Sequence, residues 1–121
     1  RRKDRTGNVN IPLPSVFNEL NKMLPSDFEW IKTRKRLIDE TRIQHHCVWS
    51  YAPKITSDKC AIYSYYDGNS EYGDTPKRYT IEFMRKSNGR YYVEQVQGRY
   101  DKASSNKLYV YLQNYLEKAQ K

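Results

Sequence analysis

Apolar residues recur at helical spacing along the first half of this chain. A stripe of four predicts a short helix over residues 15–24, which Ser15 caps and Pro25 ends. A second helix is predicted over residues 43–51, and it ends there because Pro53 cannot continue a helix. The first half of the chain therefore indicates helices separated by short breaks.

Beyond residue 59 the spacing changes to the alternation of apolar and polar residues that is typical of strands. Three strands are predicted, over residues 60–65, 79–84 and 90–97. The last two are joined by Asn88-Gly89, a pair that accepts the positive φ of a hairpin turn. A final apolar stripe at helical spacing predicts a closing helix.

These elements predict an α+β fold, a three-stranded antiparallel meander with helices packed on one face. Residues 28–31 fit either a strand or the first turn of a helix, and residues 32–40 favour a helix of one or two turns. Residues 15–121 are predicted to form a single domain. Residues 1–14 read as a basic extended arm or a linker remnant.

The charge of the chain indicates a partner rich in phosphate. Lys and Arg number 22 against 14 Asp and Glu, a net charge of +8, and 12 tyrosines bring the aromatic share to 14%. Cations that neutralise phosphates release counterions, and exposed rings on a basic sheet stack single-stranded bases. The same charge also fits a small domain that only needs to stay in solution. The residues predicted to contact nucleic acid are Arg34, Lys35, Arg36, Lys77, Arg78, Arg85, Lys86, Tyr66 and Tyr92.

The sequence also bears on the compartment. No apolar run approaches the roughly 20 residues of a membrane helix, and no signal-peptide core is present, so no membrane partner is predicted. The two cysteines, Cys47 and Cys60, lack the spacing of a disulfide framework, which favours a reducing cytoplasm while leaving a single disulfide open.

Both histidines and one cysteine fall within residues 44–51. The run His45-His46-Cys47 is a poor metal site, because successive helical side chains point about 100° apart; no metal and no other cofactor is predicted. Cys47 has no histidine from elsewhere in the chain to activate it, so it is interpreted as a small buried apolar residue. His46 is either a general acid or base or a residue that fixes the fold through a hydrogen bond.

Gln95 and Gln97 lie two residues apart on a predicted strand and so face the same side of the sheet. Two amides on one face are unusual for a core; they either orient a phosphate or a base edge, or lie on a solvated face. Together with His46 and Tyr100 they form the candidate catalytic group, with Glu82 as a helper.

Four short motifs follow one another along the chain: His46-Cys47-Val48, Ser50-Tyr51, Tyr79-Thr80-Ile81-Glu82 and Gln95-x-Gln97-Gly98-x-Tyr100. In this order they resemble the PcfJ-like family, proteins carried by conjugative plasmids, phages and other mobile elements. The resemblance covers about residues 28–116, and it departs from the family at Trp49, where a small residue is frequent, and at Asp101, where Asn is common. It implies a mobile-element setting with nucleic acid nearby, and no particular reaction.

Three functions follow as hypotheses. The first is a nucleic-acid-binding domain of a mobile-element protein, which uses the cations and the sheet tyrosines. The second is a metal-independent nuclease or phosphotransferase in which His46 is the general acid or base. The third is an adaptor that binds an acidic protein. Competition by DNA or RNA separates the first from the third, and His46→Ala separates the first from the second.

Overall fold

The computed structural model of this protein describes residues 15–44, 60–73, 77–98 and 106–120. After a 3-10 turn (Ser15–Phe17) the helices are α1 (Asn18–Met23), α2 (Arg34–Gln44) and α3 (Asn106–Ala119). The strands are β1 (Glu29–Trp30), β2 (Cys60–Asp67), β3 (Lys77–Arg85) and β4 (Tyr91–Gln97), and they form one antiparallel sheet in the order β1-β2-β3-β4. The α+β class is confirmed, and the sheet has four strands where three are predicted.

The additional strand is β1, in the segment that fits either a strand or a helix from its sequence. The ring of Trp30 stacks on that of Tyr63 with the centroids 5.9 Å apart. The backbone N–H of Ile31 donates to the carbonyl of Ile62 at 2.9 Å. Contacts with β2 therefore decide the conformation of this segment, because its local sequence does not.

One face of the sheet carries the hydrophobic core, and we call it the core face. Its buried side chains are Ala61, Tyr63, Tyr65, Tyr79, Ile81, Phe83, Tyr91 and Val93. Helix α1 packs against them, and so does α3, which buries Leu108, Leu112 and Leu116 at intervals of four residues. Tyr79, Ile81 and Phe83, the alternating apolar residues of the predicted strand over residues 79–84, are fully buried. Tyr111 belongs to the apolar stripe that predicts the closing helix, but it is 39% exposed because it lies beside the leucine row rather than in it.

The opposite face, which we call the polar face, is contacted by α2. Leu37 is fully buried, and the carboxylate of Glu40 accepts a hydrogen bond from Thr80, whose side chain alternates with the core residues of β3. The prediction of helices on one face alone is therefore not confirmed. The sheet lies between α2 on one side and α1 with α3 on the other.

The predicted hairpin turn between β3 and β4 is confirmed. Gly89 has a φ of +90°, in the region that favours glycine, and its N–H donates to the carbonyl of Lys86 at 2.9 Å. The side chain of Asn88 accepts from the N–H of Arg90 at 3.0 Å. The predicted helix over residues 43–51 lies outside the described residues beyond Gln44, where α2 ends.

The phenol of Tyr65 is expected to make the fold sensitive to alkali. Burial, aided by Asp67 and Tyr72, raises its pKa from 10.0 to about 12. The stability that this shift contributes is complete below the unfolded pKa of 10.0 and is lost as the pH rises through about 12. Tyr65→Phe should therefore show a shallower loss of unfolding free energy between these two pH values, measured by urea titration. Tyr66→Phe, which changes an exposed neighbour, is the control, and equal slopes in both variants would contradict the prediction.

Candidate functional site

An irregularity in β4 decides which side chains reach the polar face. Phe83 is paired with Val93, but the preceding Glu82 is paired with Gln95, so β4 contains one extra residue, Glu94. Such a β-bulge reverses the alternation of the side chains beyond it. Without the extra residue, Gln95 would point to the core face.

The bulge directs both glutamines to the polar face, and they share one side of the sheet as their spacing predicts. The amide of Gln95 donates to the Glu82 carboxylate at 3.2 Å. Gln97 is paired with Thr80, two residues before Glu82 on the same side of β3. Both glutamine side chains are half-buried. They therefore lie on a partly covered polar surface.

A fifth side chain, from α2, completes this group. Glu40 is fully buried, and its carboxylate accepts from the Thr80 hydroxyl at 2.5 Å and from Arg36 at 3.0 Å. Glu82 is only 2% exposed. We call this group the polar centre: Glu40, Thr80, Glu82, Gln95 and Gln97. It places two buried carboxylates on one face of the sheet.

Arg36 compensates the negative charge at the edge of the polar centre. Its Nε and Nη2 each donate to one oxygen of Glu29 at 3.0 Å, and its Nη1 donates to Glu40. Burial alone would lower the pKa of this guanidinium, but the hydrogen bonds and charges of the two carboxylates outweigh it and raise the pKa. Thr33 begins the helix beneath it by accepting the N–H of Arg36 at 3.0 Å. The guanidinium thus ties α2 to β1.

The cations predicted to bind nucleic acid are in different surroundings. Arg36 bonds two carboxylates, and Lys35 lies 3.8 Å from Asp39 in an exposed ion pair. The side chain of Arg34 lies outside the described residues. Lys77 and Arg85, at opposite ends of β3, alternate toward the core-face side. A role for these residues in binding nucleic acid stays a prediction.

The remaining predicted cations, Arg78 and Lys86, lie toward the polar face, each beside a tyrosine. Arg78 is paired with Tyr66 across β2 and β3, and its Nη1 donates to the hydroxyl of Ser64 at 2.9 Å. The ammonium of Lys86 lies 5.6 Å from the centroid of the Tyr92 ring. Tyr66 is 58% exposed, and Tyr92 is half-buried. A ring and a cation thus occupy each end of the polar face.

Two members of the predicted catalytic group, His46 and Tyr100, lie outside the described residues, as does Cys47. Cys60 is buried at the start of β2. Within the described ranges, no group of three or more His, Cys, Asp and Glu side chains is arranged to hold a metal ion. The structure therefore places Gln95, Gln97 and their helper Glu82 together and gives no geometry for the histidine.

Sequence reasoning missed Glu40 and Thr80 as members of the site. Thr80 gave a weak signal. It alternates with the apolar residues of a predicted strand, and a polar side chain that is buried on the other face of a sheet needs a hydrogen-bond partner. Glu40 had no such signal, because charged residues are ordinary on short helices.

Comparisons with known proteins leave the family open. The chain matches no protein-family model, no curated protein and no solved structure. The PcfJ-like resemblance therefore stays a prediction that rests on the motifs alone. Among the described helices, none is long and apolar enough to cross a membrane.

Proposed function

We propose that this domain binds nucleic acid through the polar face of its sheet. The observation that supports the proposal is the pair of Tyr66 and Arg78. Tyr66 is 58% exposed, and Arg78 is its cross-strand partner on the next strand. An exposed ring can stack on any base, while a guanidinium bonds the adjacent phosphate in a planar fork.

The second pair, Tyr92 and Lys86, extends the proposed surface to the other end of β3. Eight residues separate the two cations along the chain, or roughly 26 Å at about 3.3 Å per residue. Because α2 contacts the polar face at Thr80, between the two pairs, a single strand of several nucleotides would contact the two ends of this face and pass over α2. The net charge of +8 would favour the encounter with a polyanion. The mobile-element setting implied by the PcfJ-like resemblance agrees with this partner.

Tyr66→Ala is expected to weaken the binding of single-stranded nucleic acid by about 5- to 150-fold, because stacking on one ring contributes about 1–3 kcal/mol per base. Fluorescence anisotropy with labelled single-stranded and double-stranded DNA and RNA would measure the effect. Tyr111→Ala is the matched control, because this tyrosine is also exposed but lies on α3, across the core from the polar face. Equal loss in both variants, or none in Tyr66→Ala, would remove the basis of the proposal.

The same samples decide between binding and reaction. Incubation with and without EDTA, read on a denaturing gel, would detect cleavage of the labelled strands. Cleavage that is lost in His46→Ala but persists in Tyr111→Ala would make the protein a nuclease. Binding without cleavage would leave a binding domain. If no nucleic acid binds at low salt, the proposal is wrong, and an acidic protein becomes the partner to test.

A further inference from the structure

At the β4 edge of the sheet, side chains cover the backbone by bonding to it. The side chain of Gln120 accepts the N–H of Tyr91 at 2.6 Å and donates to its carbonyl at 3.0 Å. Gln113 accepts the N–H of Val93 at 3.0 Å. Gln113 lies on α3 and Gln120 directly follows its last residue, so these two side chains occupy backbone groups with which another strand would otherwise pair.

The edge at β1 has no such cover among the described residues. In an antiparallel pair, successive residues direct their backbone groups alternately toward the neighbouring strand and away from it. Ile31 donates its N–H to β2, so the N–H and carbonyl of Trp30 point away from β2. No described residue forms a hydrogen bond with either group of Trp30.

A groove of about 510 Å³ runs beside this edge. Its size falls within the range of ligand clefts, about 300–1,000 Å³. Its lining includes Leu24, Pro25 and Ser26, which precede β1, Trp30 of β1 and Lys32, which follows β1. The backbone groups of Trp30, to which no described residue is hydrogen-bonded, thus adjoin a space that can hold side chains.

The charges of the groove favour an acidic occupant. Glu29 also lines it, but both oxygens of this carboxylate already accept hydrogen bonds from Arg36. The ammonium of Lys32 lies 6.0 Å from the centroid of the Trp30 ring and forms no ion pair with any described residue. Lys32 is therefore the lining charge that an incoming carboxylate would neutralise.

We propose that β1 and this groove bind an extended acidic segment of a partner protein, which adds to the sheet as a further strand. The backbone groups of Trp30 would pair with the segment, a carboxylate would meet Lys32, and an apolar side chain would contact Leu24. Because β1 has only two residues, its backbone offers few hydrogen bonds, and the affinity must come mainly from the side-chain contacts. This surface is separate from the polar face, so the proposal goes beyond nucleic-acid binding.

The probe is a set of fluorescein-labelled eight-residue peptides in which Val and Thr alternate and a single Glu moves through the sequence. We expect at least one of them to bind, and its Glu→Lys version to bind at least about tenfold more weakly. Lys32→Glu should reverse this preference, so that the Lys peptide binds more tightly than the Glu peptide. At saturation, hydrogen exchange of the Trp30 amide, followed by NMR, should slow at least about tenfold.

Ser26→Trp, which fills the groove from an exposed position, should abolish peptide binding, while Ser87→Trp in the distant hairpin turn should leave it within about twofold. Thermal melting checks that both variants fold. The proposal is overturned if no peptide binds below about 1 mM, or if Lys32→Glu does not reverse the preference. It is also overturned if the Trp30 amide stays unprotected, or if the groove instead holds a second copy of the chain, seen as a dimer that Ser26→Trp dissociates.

Discussion

Glu40→Ala is expected to lower the free energy of unfolding by about 2–4 kcal/mol. The carboxylate is fully buried, and it holds both the hydroxyl of Thr80 and one end of Arg36. Its removal leaves a buried hydroxyl without this acceptor and a cavity between α2 and the sheet, while Arg36 keeps only Glu29. Lost buried hydrogen bonds cost about 1–3 kcal/mol each, and the cavity adds to that cost. Urea denaturation of the variant and the wild-type chain would measure the difference.

Asp39→Ala is the matched control for this prediction. Asp39 precedes Glu40 on the same helix, but its ion pair with Lys35 is exposed and 3.8 Å long. Exposed pairs contribute about 0–1 kcal/mol, so this variant should stay close to the wild-type stability. Glu40→Gln keeps the shape and an acceptor for Thr80, and its stability should fall between the two. If Glu40→Ala and Asp39→Ala unfold at the same urea concentration, Glu40 does not hold α2 on the polar face.

The strands that the sequence predicts well are those that its local pattern determines. In β3 the residues Tyr79, Ile81 and Phe83 alternate with polar ones, and the turn at Gly89 needs only its own neighbours. The conformation of β1 depends instead on the stacking of Trp30 on Tyr63, a contact between segments more than 30 residues apart. Such contacts override weak local preferences for helix or strand, and they cannot be predicted from the pattern of a single sequence.

The same distinction explains how much of the polar centre was predictable. The spacing of Gln95 and Gln97 predicts that they share a face, but not which face, because that depends on the bulge at Glu94. The bond between Glu40 and Thr80 joins residues 40 positions apart. Neither residue type is unusual for its element. The polar centre therefore required the arrangement of the chain in space.

The amino-acid composition does not show which of the predicted cations can contact a phosphate. A count of charges treats every Lys and Arg as available to a phosphate. Arg36 is committed to Glu29 and Glu40, whereas Arg78 and Lys86 lie beside tyrosines toward one face. The net charge is compatible with a phosphate-rich partner, and a test of that partner should begin with the two cations that lie beside tyrosines.

The double variant Gln113→Ala/Gln120→Ala is expected to lower the free energy of unfolding by about 2–4 kcal/mol and to make the protein self-associate. It removes the acceptors of two backbone N–H groups, those of Tyr91 and Val93, whose residues are 7% and 1% exposed. Each unsatisfied group costs about 1–3 kcal/mol where water cannot reach it. The uncovered edge of β4 would also present these groups to a strand of another molecule. Urea denaturation and sedimentation velocity would measure the two effects.

Asn114→Ala provides the comparison, because Asn114 is the exposed neighbour of Gln113 on α3 and its amide forms no hydrogen bond with any described residue. This variant should sediment like the wild-type chain and be about as stable. If the double variant behaves in the same way, the glutamines do not protect the edge of β4. In that case the contrast between a covered edge and an open one at β1 would lose its physical basis. If the double variant unfolds early and associates, the two glutamines are necessary at the edge of β4, and the proposal that the opposite edge binds a strand keeps the contrast on which it rests.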